Sequence, residues 1–143
     1  MSNSPSSIIA HAPIEVQWLS GQTFEAGRRQ GPKFRIAGDG RTAPSPFDVL
    51  LAAIATCAAV DVVSILEKQR TPVHALNIGV EANRINSIPR RLASAILHFT
   101  IAAPGTTLEK ATRAVELSVT KYCSVRSSLI ADASVSWTVE LGG

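Results

Sequence analysis

SPFDVLLAAIATCAAVDVVSIL, residues 45–66, reads as a single long helix. Pro46 suits the first helical position, where a missing N–H costs nothing and the fixed φ already matches the helix. From there to about Lys68 the apolar residues recur at helical spacing. Leu50, Ile54, Cys57, Asp61 and Ile65 fall three or four apart on one stripe, so a cysteine sits mid-helix. Asp48 lies in the first turn, where the helix dipole favours a carboxylate. In an unbroken helix it stands about 13 Å along the axis from Cys57, too far for direct contact. It can instead orient an arginine or act at the site of a second subunit.

Upstream of the helix, Ile14–Leu19, Thr23–Ala26 and Lys33–Ala37 read as strands of a small antiparallel meander, broken by Gly21, Gly27 and Gly31. Gly38–Pro46 is the loop that enters the helix. Downstream, strands are expected at Ala75–Ala82 and Leu92–Ala102, with a turn at Asn86–Pro89. The second strand alternates Ala93, Ala95, Leu97, Phe99 and Ile101 on one face. Thr107 is the N-cap of a helix continuing to Tyr122, with Glu109 in its first turn. A short helix runs from Cys123 or Ser124 to about Ala131, and Ser134–Leu141 closes the chain as a strand. The order βββ-α-ββ-αα-β, without repeated βαβ units, indicates an α+β fold and not a doubly wound sheet.

The 143 residues suffice for one domain with its own hydrophobic core, expected over residues 13–143 behind a flexible Ser/Pro/Ala-rich tail at residues 1–12. The tail has neither the basic start nor the apolar segment of a secretory signal, so a reducing, cytoplasmic setting is expected for the two cysteines. The net charge of +3, from 14 Lys and Arg against 11 Asp and Glu, is dispersed and gives no footprint for nucleic acid. The most apolar run, Val49–Val60, is 12 residues against the roughly 20 of a membrane span, so no membrane partner is expected.

Few residues offer chemistry. GDGR at 38–41 lacks the spacing and setting of a phosphate loop. His11, His74 and His98 are isolated in sequence and read as structural or surface residues, so neither metal nor bound cofactor is expected. Cys57 reads either as a small buried hydrophobe or as a reactive thiol. The second reading needs a cation to favour the thiolate, since Asp61 one turn on opposes it; Arg28, Arg29, Arg35, Arg84 and Arg126 are available. Cys123 lies between two helices, where free backbone N–H groups stabilise a thiolate, or is an ordinary turn residue. Their separation of 66 residues does not say whether the two sulfurs meet.

The stretch 45–66 resembles the signature of the OsmC/Ohr family, in which a proline-led acidic start opens a long helix carrying the first cysteine. KYCSV at 121–125 resembles the second-cysteine motif of one branch. VQW at 16–18, EANRINSIPRR at 81–91 and ELSVTKYC at 116–123 are further similarities to it, in the same order along the chain. The resemblance implies an intertwined homodimer with two long central helices and active sites at the subunit interface. It further implies a thiol-dependent peroxidase that reduces organic hydroperoxides, with Cys57 peroxidatic, Cys123 resolving, and a small or protein-bound dithiol as external reductant. Arg35 best matches the thiolate-stabilising arginine. Many members carry a glutamate ten residues before the first cysteine; here Phe47 stands there, and the nearby acid is Asp48. The alternative is a non-enzymatic module of the same fold that binds an apolar ligand or senses oxidation.

Overall fold

The structure is a computed structural model and describes residues 7–142. Of the expected tail, residues 7–12 are exposed and form no regular element, and residues 1–6 lie outside the described residues. The elements run β1 (Ile14–Ser20), β2 (Thr23–Arg28), β3 (Lys33–Ala37), α1 (Pro46–Lys68), β4 (Ala75–Arg84), β5 (Leu92–Ala102), α2 (Leu108–Leu117), a π-helical turn (Ser118–Tyr122), α3 (Ser124–Ser127) and β6 (Ser134–Leu141). This is the expected α+β order. The chain divides into two compact units, the first ending at Val49 and the second beginning at Leu50.

In the first unit β1, β2 and β3 form an antiparallel sheet in that order. The register sets Trp18 opposite Phe24 and Phe24 opposite Ile36, and sets Val16 opposite Ala26 and Ala26 opposite Phe34. Because side chains alternate across a strand, this register gathers the apolar residues on one face. Ile14, Val16, Trp18 and Phe34 on that face are exposed. In the following loop, Asp39 Oδ1 accepts the N–H groups of Arg41 at 2.9 Å and Thr42 at 3.3 Å. These bonds, that from Arg41 foremost, hold the Asp39 carboxyl below its ordinary pKa. GDGR is thus a self-bonded turn, with Gly40 at φ 68°.

In the second unit β5 is central, antiparallel to β4 and parallel to β6. A parallel neighbour requires a long crossover, and the helical segment between β5 and β6 supplies it, with α2 packed on β6. Leu97, Phe99 and Ile101 on β5 are fully buried, each contributing roughly 1.5–3 kcal/mol from burial. The expected alternating row departs at its first member. Asn83 pairs with Ser94 but Arg84 pairs with Leu92, leaving Ala93 as the extra residue of a bulge. Leu92 is therefore the buried residue at that end, and Ala93 only half-buried.

The buried track of α1 is Ile54, Ala55, Ala58, Val62 and Leu66. It is rotated from the predicted stripe, because the row at 54, 58, 62 and 66 is wholly apolar while the predicted one carries Asp61. Cys57, Asp61 and Ile65 flank the track, half-buried. The 23-residue helix has a mean hydropathy of 2.4 over its most apolar 18 residues, long and apolar enough to cross a membrane on length and composition alone. The 12-residue apolar run therefore understates the helix; its buried track is that of a core helix.

Thr107 caps α2 as expected, its hydroxyl accepting the Lys110 N–H at 3.2 Å. The helix does not continue regularly to Tyr122. The hydroxyls of Ser118 and Thr120 donate to the carbonyls of Ala114 at 2.8 Å and Glu116 at 2.6 Å, in competition with backbone donors, and the ladder widens into the π-helical turn. Nor does α3 reach Ala131. It ends at Ser127, and beyond it Asp132 is gripped by both terminal nitrogens of Arg91 at 2.8 and 3.0 Å.

Candidate functional site

The second unit brings the two cysteines together. Cys57 stands half-buried on α1, and Cys123, 3% exposed, lies between the π-helical turn and α3 with extended backbone. Extended geometry at that position lets a side chain turn back to cap the helix that follows. Cys123 Sγ accepts the Arg126 N–H at 3.3 Å and lies 3.8 Å from the Ile54 carbonyl, one helical turn before Cys57. The Cys123 thiol donates to that Ile54 carbonyl, and its side chain also lowers the Cys57 pKa. Ser124 Oγ is 3.9 Å from Cys57 Sγ. Both thiols are free.

The surroundings set the two thiols apart. At Cys57 burial is the largest influence and opposes ionisation. It is outweighed by hydrogen bonds from the Val125 N–H, the Cys123 thiol, and the Ser124 hydroxyl and N–H, so the Cys57 pKa lies below its ordinary value. At Cys123 burial again leads, pushing the pKa up. The Arg126 and Val125 N–H groups oppose this, while the hydrogen bond and the charge of a neighbouring Cys57 thiolate reinforce it. Of the two thiols, Cys57 is the more readily ionised.

The donors that lower the Cys57 pKa are neutral groups of Cys123, Ser124 and Val125. Arg126 acts through its backbone N–H, and on Cys123. Ser124 and Val125 are the residues beside Cys57 that the sequence did not single out. The available signal was the start of a helix directly after Cys123, whose backbone donors serve both sulfurs.

Asp48 has a structural partner. Its carboxylate accepts the Ser45 N–H at 2.9 Å while the Ser45 hydroxyl accepts the Asp48 N–H at 3.1 Å, a reciprocal capping box at the start of α1. Arg35 is exposed on β3, opposite Glu25 of β2. Arg29 pairs with Glu15 at 2.8 Å, and Arg84 Nε donates to the Arg90 carbonyl. His98 lies between Thr138 Oγ1 at 2.8 Å and Glu81 Oε2 at 3.1 Å on the sheet. Among the described residues no three His, Cys, Asp or Glu side chains are grouped to hold a metal.

A family model described as OsmC-like protein matches residues 38–140, a span that includes both cysteines. The chain belongs to the OsmC-like family. This OsmC-like chain is 34% identical over 127 residues to Protein YhfA of Escherichia coli K12, covering 88% of the present chain and 95% of the relative. The crystal structure of an OsmC-like protein from Mycoplasma pneumoniae superposes with a TM-score of 0.79 at 14% identity, covering 95% of this chain and all of that one. The organic hydroperoxide resistance protein OhrB of Bacillus subtilis superposes with a TM-score of 0.61 at 17% identity, over 93% of this chain and 98% of its own. At these identities the two structures bear on the fold alone. They place the OsmC-like arrangement of strands and helices on a fold that organic hydroperoxide resistance proteins share.

Proposed function

We propose that this OsmC-like protein is a thiol peroxidase that reduces organic hydroperoxides. The observation that carries the reading is the opposed tuning of two adjoining thiols, Cys57 favoured as thiolate and Cys123 kept protonated beside it. The Cys57 thiolate attacks the distal peroxide oxygen, the O–O bond breaks, and the departing alkoxide takes a proton from water. Cys57 is left as a sulfenic acid. The Cys123 thiol then condenses with it, forming the S–S bond and releasing water. A small or protein-bound dithiol returns both sulfurs to thiols in two exchange steps, itself becoming a disulfide.

Ala53 and Val60, one turn either side of Cys57 on α1 and not buried, favour an alkyl or lipid hydroperoxide over hydrogen peroxide, since apolar surface gains from covering an alkyl chain. Arg35 enters from the family resemblance as the cation of the site, and Asp48 as the acidic residue in place of the usual glutamate. A homodimer built on two α1 helices is supported by the apolar surface the single chain leaves open: Val60 and Val63 on α1, Val16 and Trp18 on the first sheet. The free thiols suit a reducing cytoplasm.

The test is anaerobic addition of one equivalent of cumene hydroperoxide to the reduced protein, followed by intact mass and thiol counting. The expected result is loss of two hydrogens and both thiols within seconds, with a sulfenic acid trapped only in Cys123→Ser. Survival of both thiols in excess peroxide would replace this reading with a non-enzymatic module of the same fold.

A further inference from the structure

The hydroxyl of Ser124 has the Cys57 sulfur as its recorded partner, at 3.9 Å, and it is held there by a rigid frame. The Ser128 hydroxyl donates to the Ser124 carbonyl at 2.8 Å, the Ser127 N–H to the Cys123 carbonyl at 3.0 Å, and the Arg126 N–H to Cys123 Sγ at 3.3 Å. The backbone on both sides of Ser124 is therefore fixed. The side chain itself is exposed and has rotamers leading to water, yet it turns toward the sulfur. Either atom can donate while Cys57 is a thiol, but a thiolate only accepts, so ionisation of Cys57 commits the hydroxyl to donate.

We propose that Ser124 is a positioning residue for the Cys57 thiolate, its hydroxyl donating to the sulfur and fixing the direction of the attacking lone pairs. The inference rests on the thiolate chemistry proposed above and adds a residue to it. The donors to Cys57 are neutral, and the Ser124 hydroxyl is one of those that offset burial. Ser124 also follows Cys123 directly, which couples the arrangement around the attacking sulfur to the position of the resolving one.

The experiment measures alkylation of Cys57 by iodoacetamide between pH 5 and 10 in the reduced protein, without peroxide. Peptide-resolved mass spectrometry separates Cys57 from Cys123. At pH 7, Ser124→Ala and Ser124→Gly are expected to slow Cys57 alkylation about threefold to tenfold, with the pH profile displaced upward. Ser124→Thr, which restores a hydroxyl, returns the rate to within about twofold of the wild type. An upward-displaced profile common to Ala and Gly and reversed by Thr cannot come from local unfolding, which would expose Cys123 and speed its alkylation. Ala and Gly profiles superimposable on a wild type whose Cys57 ionises early would overturn the role of Ser124 alone. A wild-type Cys57 that titrates like an ordinary thiol would overturn the thiolate reading itself.

Discussion

Cys123 Sγ accepts the backbone N–H of Arg126 at 3.3 Å, so the second cysteine is the N-cap of α3. Serine is a stronger cap than cysteine at such a position, and alanine cannot cap at all. Cys123→Ser is therefore expected to fold at least as stably as the wild type, and Cys123→Ala to be about 1 kcal/mol less stable than Cys123→Ser. Denaturant unfolding of the three proteins under reducing conditions checks this. Equal midpoints for Ser and Ala would remove the capping role.

The two thiols are expected to titrate in a fixed order. The Cys57 pKa lies below the ordinary thiol value and that of Cys123 above it, so raising the pH generates the Cys57 thiolate first. Once Cys57 is charged, its field holds the Cys123 proton more tightly and widens the gap. In Cys57→Ser that field is gone, and the Cys123 alkylation profile is expected to move to lower pH. A Cys123 profile unchanged by Cys57→Ser would mean the thiols do not sense each other.

The order of elements was legible in the sequence because strands and helices here carry clean periods of two and of three to four. Details set by single competing bonds were not. The bulge at Ala93, the widening at Ser118 and the early end of α3 each depend on which partner one backbone group chooses, and a one-dimensional pattern carries no such information. The rotation of the α1 stripe was partly readable, since Asp61 argued against full burial of its own row. At the site, the cysteines were legible as candidates and their meeting was not. Two of the four donors at Cys57 are the backbone N–H groups of Ser124 and Val125, and a backbone N–H has no signature in residue type.

Asp48 and Ser45 are expected to behave as one energetic unit. Each satisfies a backbone donor that the first turn of α1 would otherwise leave open, through the bonds at 2.9 and 3.1 Å. Ser45→Ala and Asp48→Ala are each expected to cost about 0.5–2 kcal/mol. The double variant should cost less than the sum, since removal of either half weakens the other. A thermodynamic cycle from urea unfolding measures the coupling, and strict additivity would show that the two bonds act independently.

A single chain leaves large apolar side chains uncovered. Val60 is 68% exposed on a helix whose other face is buried, and Trp18 is 62% exposed on the apolar face of the first sheet. Large apolar side chains left open on each of these elements are costly in water and suit an interface. A two-fold pairing would set each copy's α1 near its mate, so a charge introduced at Val60 would meet its own symmetry copy across the interface. Like charges held that close in a dry interface repel strongly. The wild type is therefore expected to sediment at twice the chain mass of 15.1 kDa at micromolar concentration, and Val60→Asp as a monomer. Circular dichroism of the variant separates dissociation from unfolding. A wild type that sediments as a monomer, or a Val60→Asp variant that remains a dimer, would move the interface away from α1.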